Sequence, residues 1–143
     1  MTPVDGNKAL VRRFVDEIWN RGDAPLTVEF LAGDVAVHLP PFPDATGVDA
    51  LKGVAAAFRT ALPDLVVEAD VVAGEGDRVI HRFSLNGTHT GAALFGADAS
   101  HRAISTSGVT MFLISDGRIA AVSGLFDIAG LMQQLHPTGG TER

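Results

Sequence analysis

The sequence predicts an α+β fold: a cone-shaped barrel made by a strongly curved, mainly antiparallel sheet wrapped around N-terminal helices, with a closing C-terminal helix. Three observations predict it. Apolar residues recur at helical spacing through the first half of the chain, and they alternate with a period of two through most of the second half. Gly87, Gly108 and Gly124 lie within or at the ends of the long alternating runs. Long strands have to bend to cover a helix, and a residue without a side chain permits the bend. A sheet curled over helices encloses a space whose open end is a pocket.

The elements follow in order. From Leu10 to Trp19, the residues Leu10, Val11, Phe14, Val15, Ile18 and Trp19 share one helical face, Arg12, Arg13, Asp16 and Glu17 take the other, and Gly22 is the stop. Asp23 is placed to cap a short second helix with Pro25 in its first turn and Leu26, Phe30 and Leu31 facing inward. Val35–Leu39 reads as a short strand ended by the proline-rich loop Pro40–Pro43. A third helix runs from about Val48, with Leu51, Val54, Ala55, Phe58 and Leu62 on one face, and Pro63 ends it. Four strands then form a meander: Leu65–Val72, Arg78–His89, Arg102–Ser115 and Ile119–Phe126. Gly74–Asp77 and Asp116-Gly117 are the tight turns, and a Gly- and Ala-rich loop covers Gly91–Ser100. Asp127 precedes a last helix whose apolar stripe is Leu131, Met132 and Leu135.

Composition bounds the function. A chain of 143 residues with 46% hydrophobic and 20% charged residues has the balance of one globular domain, expected to span 1–143. A net charge of −6 with no cationic stripe argues against nucleic acid as a partner. There is no cysteine, so disulfide and thiol chemistry are excluded. No apolar run reaches the ~20 residues of a membrane span, and the first residues lack a signal-peptide pattern. A soluble, cytoplasmic protein with no membrane partner is the expectation.

The segments resemble the SnoaL-like polyketide cyclases, of the cone-shaped superfamily that includes ketosteroid isomerases and limonene epoxide hydrolases. The resemblance covers nearly the whole chain. It is carried by Phe14–Asp23 (FVDEIWNRGD), Phe58–Val67 (FRTALPDLVV), Gly76-Asp77-Arg78-Val79 and Asn86–Gly91 (NGTHTG). Asp116-Gly117-Arg118-Ile119 and the tail Phe126–Leu135 complete it. The order and spacing of these pieces are more specific than any one of them.

The departures from the pattern bear on mechanism. In aldol-type members of the family a His-Trp-Asp run follows the turn, and its Asp is the general acid/base; here Val122-Ser123-Gly124 stands there. In the epoxide hydrolases an Arg works with two Asp. Arg82 matches that Arg, whereas Ser84 and Gly124 replace the acids. The chain has no Tyr, which removes the phenolic donor that a ketosteroid isomerase pairs with its Asp.

By resemblance, the first helix contributes Val15 and Ile18 to the pocket, the first strand Val37 and Leu39, and the third helix Phe58. The sheet contributes Arg82, Ser84, Thr106, Gly108, Val122, Gly124 and Phe126. Periodicity alone gives a different account of the second sheet strand: Val79, His81, Phe83 and Leu85 on one face, Ile80, Arg82, Ser84 and Asn86 on the other. In that account the apolar set is core and Arg82 is exposed. Both faces can be covered if the outer one forms a homodimer interface, as is frequent in the family. Asp127 is either the helix cap or an acid/base, and the cap is the plainer reading. Trp19 continues an apolar stripe and reads as core. Glu68 and Asp70 share a strand face and read as solvated.

No metal is expected. His81 and His89 would lie about 26 Å apart on an extended strand, and His38, His101 and His136 have no ligand spacing. His38 is offset from the inward positions and should point away, and His89 reads as a loop-stabilising group. No cofactor is expected either. The implied function is a cyclase of bacterial secondary metabolism that closes a carbocycle in a small, apolar, polyketide-derived substrate. Arg82, Ser84, Thr106 and Asp127 are its candidate catalytic groups. With the family's Asp missing, substrate folding and carbonyl polarisation, of a [4+2] or similar type, fit better than aldol chemistry. The alternatives are an acid/base isomerase, dehydratase or aldol cyclase using Asp127 or a histidine in an unexpected place, and a non-catalytic binding protein.

Overall fold

A computed structural model describes residues 3–21 and 30–137. The expected helix capped by Asp23 falls largely outside them, although Phe30 and Leu31 are buried as expected, 1% and 2% exposed. Helix α1 (Pro3–Phe14) starts earlier than its apolar stripe, with Pro3 in the first turn, where a missing N–H costs nothing. It continues as a π-helical segment, Val15–Arg21. Val11, Phe14, Val15 and Ile18 form the buried stripe read from the sequence. Asn20 fixes the end of this segment to the sheet: its side-chain amide donates to Val67 O at 2.9 Å and accepts from Val67 N–H at 2.7 Å.

Strand β1 (Leu31–His38) begins four residues before the expected one, and β2 (Ala45–Thr46) was not foreseen. Helix α2 (Val48–Ala61) buries Leu51, Val54, Ala55, Phe58 and Ala61 on one face and stops before Pro63, as the spacing requires. Then come β3 (Val66–Glu75), β4 (Arg78–Thr88), β5 (Ala103–Ser115) and β6 (Arg118–Phe126). The Asp116-Gly117 turn has φ of 52° and 74°, the left-handed pair that a two-residue hairpin demands. Helix α3 (Ile128–Leu135) closes the described chain.

The six strands make one sheet in the order β2-β1-β6-β5-β4-β3. The meander β3–β6 is antiparallel throughout, as expected, and β1 joins it parallel to β6. The sheet is curved and not closed. Its bend is visible at Gly108: a Cβ there would lie 2.3 Å from Leu125 O and 2.8 Å from Phe126 Cα, so β6 folds over β5 where no side chain stands in the way. Helix α1 packs on β3, β4 and β6, α2 packs on β1, and α3 packs on β5. The core lies between the helices and the concave sheet face. No helix among the described residues is long and apolar enough to cross a membrane.

Candidate functional site: an apolar cavity with one polar row

The concave face and the helices form a cavity that opens to solvent. The pairing of the strands orders its sheet wall into rows. Val79, Phe112 and Val122 form one row, His81, Thr110 and Gly124 the next, and Phe83, Gly108 and Phe126 the third. Leu85 pairs with Thr106 beyond them. Every side chain in these rows faces the cavity or the core under it, and Gly108 and Gly124 have none to project.

The helical wall is aromatic. Phe58 of α2 is its hub, with ring centroids 5.8 Å from Trp19, 6.0 Å from Phe42, 5.9 Å from Phe95 and 6.2 Å from Phe126. Phe42 arrives from the proline-rich loop and touches Phe95 at 5.4 Å. Phe95 sits at the tip of the loop after β4 in a left-handed conformation, φ 48°, and its carbonyl accepts a hydrogen bond from His136 Nε2 at 3.0 Å. Trp19 is held toward the cavity from behind. Arg59 Nη1 donates to the backbone carbonyls of Trp19 and Asn20 at 2.9 and 2.6 Å, satisfying the last carbonyls of the π-helical segment.

The polar side chains of the lining are His81, Thr106 and Thr110. His81 is 4% exposed, with Phe83 at 5.4 Å tilted by 32° to its ring and Phe112 at 5.1 Å edge-on. Both threonines are 7% exposed, and Thr106 Oγ1 donates to Asp127 O at 3.4 Å. A Cβ at Gly124 would come within 2.8 Å of Leu39 Cδ2 and 3.1 Å of Thr110 Oγ1. Glycine there leaves room for Leu39 and leaves the Thr110 hydroxyl uncovered. No carboxylate and no Lys or Arg belongs to the described lining.

Of the residues expected in the pocket, Leu39, Phe58, Thr106, Val122, Gly124 and Phe126 line it. The others are corrected. Arg82 and Ser84 lie on the outer sheet face, Arg82 exposed, because strict alternation along β4 gives the inner face to His81 and Phe83. Val15, Ile18 and Val37 are packed into the core and not at the cavity surface. Gly108 is covered by the turn of β6 over it. Asp127 is the cap of α3, its Oδ1 accepting the Gly130 N–H at 2.9 Å, and it does not line the cavity.

Trp19 packs against the core, as its place on the apolar stripe implies, and also forms cavity wall. Sequence reading missed His81, Thr110 and Phe42 as lining residues. A signal existed for the first two, since His81 shares parity with Val79 and Leu85, and Thr110 with Thr106 and Phe112. For Phe42, which is brought in by a loop, there was none. His38 points to solvent, with Asp44 Oδ1 at 2.5 Å from its Nδ1, and His89 is fully buried with Nε2 donating to Ala92 O at 2.9 Å, a loop-stabilising contact. Among the described residues no group of three or more His, Cys, Asp or Glu is arranged to hold a metal.

The model of the SnoaL-like polyketide cyclase family matches residues 9–135. Solved structures share the fold at low identity. A candidate SnoaL-like polyketide cyclase from Jannaschia sp. CCS1 superposes with a TM-score of 0.85 at 20% identity, covering 96% of this chain and 97% of its own. AclR, a candidate hydroxylase from Streptomyces galilaeus, gives 0.80 at 22%, with 95% and 84% covered. IdmH, a candidate polyketide cyclase from Streptomyces antibioticus, gives 0.76 at 23%, with 90% and 97% covered. No curated protein matches the chain.

Proposed function

This chain belongs to the SnoaL-like polyketide cyclase family, and we propose that it closes a carbocycle in a polyketide-derived intermediate of bacterial secondary metabolism, without a cofactor. The observation that carries the reading is the lining: aromatic and aliphatic side chains, two hydroxyls and one imidazole, with Gly124 in the wall. An uncharged, unsaturated chain suits such a wall, because burying a charge against it would be costly.

The cavity's contribution is first conformational. Holding a flexible chain with its reacting carbons in contact removes much of the entropy barrier to ring closure, an effect that can reach about 7–11 kcal/mol in ideal cases. The second contribution is polarisation. The hydroxyl of Thr110, or that of Thr106 once turned from the Asp127 carbonyl, withdraws electron density from the conjugated system when hydrogen-bonded to a substrate carbonyl, in place of the outward-facing Arg82 and Ser84. A [4+2] or similar closure is an isomerisation and needs no external oxidant or reductant. A homodimer built on the outer sheet face belongs to the same reading. Ile80, Val109, Met111 and Leu125 support it, 41%, 45%, 42% and 68% exposed on three adjacent strands.

The test is incubation with linear, unsaturated polyketide synthase products, followed by mass-neutral conversion to a ring. Faster closure than in buffer is the expected result. Tight binding of those chains with no acceleration would instead make the protein a carrier.

A further inference from the structure

We propose that His81 is the proton-transfer residue of the cavity, moving a proton between carbon and oxygen of a bound, uncharged carbonyl compound. The inference goes beyond ring closure by folding, because it gives the cavity an acid/base function.

The row His81–Thr110–Gly124 carries the argument. These three residues are directly paired across β4, β5 and β6 and all line the cavity. The rows on either side are apolar: Val79, Phe112 and Val122 on one, Phe83 and Phe126 on the other. At the β6 end of the row, Gly124 leaves the Thr110 hydroxyl uncovered. At the β4 end is an imidazole. The row therefore sets a titratable side chain on β4 and a hydroxyl on β5 side by side in an otherwise apolar wall.

Chemistry supports the assignment. Of the described residues lining the cavity, His81 is the titratable one. From the elements packed around it, Val72 of β3, Thr110 and Phe112 of β5 and Phe14 of α1 face it. A neutral imidazole offers one donor and one acceptor nitrogen, so one residue can take a proton and return it elsewhere. In the step we assign to it, the C–H bond beside a substrate carbonyl breaks, the proton passes to the ring, and the electron pair moves into the carbonyl to give an enolate. The Thr110 hydroxyl can donate to that oxygen, and the imidazolium then delivers its proton there, forming the enol and restoring the neutral ring. The rings of Phe83 and Phe112 fix the imidazole plane during the transfer.

The test uses the carbon acid 5-nitrobenzisoxazole, a flat, neutral, conjugated probe. A base removes its ring C–H proton, the N–O bond breaks, and the coloured cyanophenolate leaves, so proton transfer is read directly. The wild-type protein should accelerate this elimination, with a rate that rises with pH as the imidazole loses its proton. His81→Gln and His81→Phe should lower the rate about 100-fold and flatten its pH profile, while Ser84→Ala on the outer face should not. A rate in both variants equal to that of the wild type would overturn the assignment, as would no acceleration by the wild type or a flat wild-type profile. The wild-type profile decides even if neither variant folds. Because the probe is not a polyketide, His81-dependent elimination without any ring closure would leave this inference standing and sink the cyclase reading; ring closure with no elimination would do the reverse.

Discussion

Strand β4 presents two faces that look similar in sequence and do different work. Val79, His81, Phe83 and Leu85 turn inward, and Ile80, Arg82, Ser84 and Asn86 turn outward. Each face has apolar residues and one ionisable side chain. Resemblance to the epoxide hydrolases assigned Arg82 to the cavity; alternation assigned it to solvent, and alternation was right. Two strand assignments that differ by one residue exchange the faces completely. A guanidinium inside an aromatic cavity would also leave five donors to satisfy, whereas a histidine needs far less. On a strand, physical cost is a better guide to the facing residue than a match of residue type.

The largest expected effect breaks the two faces apart in stability. Phe112 is fully buried between Phe14, at 5.3 Å, and His81. Phe112→Ala should cost about 3–5 kcal/mol in urea unfolding, against less than about 1 kcal/mol for Ile80→Ala on the outer face. An equal cost for Ile80 would mean that the outer face is covered in the folded protein, which would favour the homodimer.

The glycines sharpen the comparison within the inner face itself. Gly108→Ala drives a Cβ against the Leu125 backbone carbonyl and should cost about 1–3 kcal/mol. Gly124→Ala meets the end of the Leu39 side chain, which can rotate away. That variant should melt close to the wild type but bind ligand more weakly, because Leu39 is pushed into the cavity. Calorimetry on both proteins separates the two roles: one glycine bends the sheet, the other keeps the polar row open.

Function gives a smaller contrast. Thr110→Val and Thr106→Val should each slow ring closure by about tenfold, the worth of a neutral hydrogen bond lost in the transition state. Arg82→Ala should not slow it. Unchanged turnover in both threonine variants would remove polarisation from the mechanism and leave folding alone.

What was legible in the sequence divides along the same line between local and distant causes. The stripe Val11, Phe14, Val15 and Ile18, the stop at Pro63, the Asp116-Gly117 hairpin and the Asp127 cap are set by residues close together in the chain, and each was read correctly. The parallel pairing of β1 with β6, the arrival of Phe42 against Phe58, and the turning of Trp19 into the cavity depend on partners far away. Arg59 is 39 residues from the Asn20 carbonyl it caps, and nothing in the local pattern announces that contact. The cavity was half legible for this reason: its sheet wall follows strand parity, and its aromatic wall follows tertiary proximity.

The smallest expected effect lies at the rim, where neither face is involved. Asp64, just past α2, accepts from the Thr88 backbone N–H at 2.6 Å and from its hydroxyl at 2.8 Å, tying the helix end to the end of β4. These hydrogen bonds, the backbone one first, hold the Asp64 carboxyl below its ordinary value of 3.8. A carboxyl depressed by folding binds its proton more readily in the unfolded chain, so its contribution is complete above the ordinary value and is lost as pH falls through the lower, folded one. The melting temperature of Asp64→Ala should therefore lie below that of the wild type by a constant, small margin at neutral pH, and the margin should narrow in acid below about pH 4. A margin that stayed constant into acid would show that the tie depends on the shape of the side chain and not on its charge. The anchoring of this corner would then be a matter of packing against Gly87, whose added Cβ would lie 3.2 Å from Asp64 Oδ1.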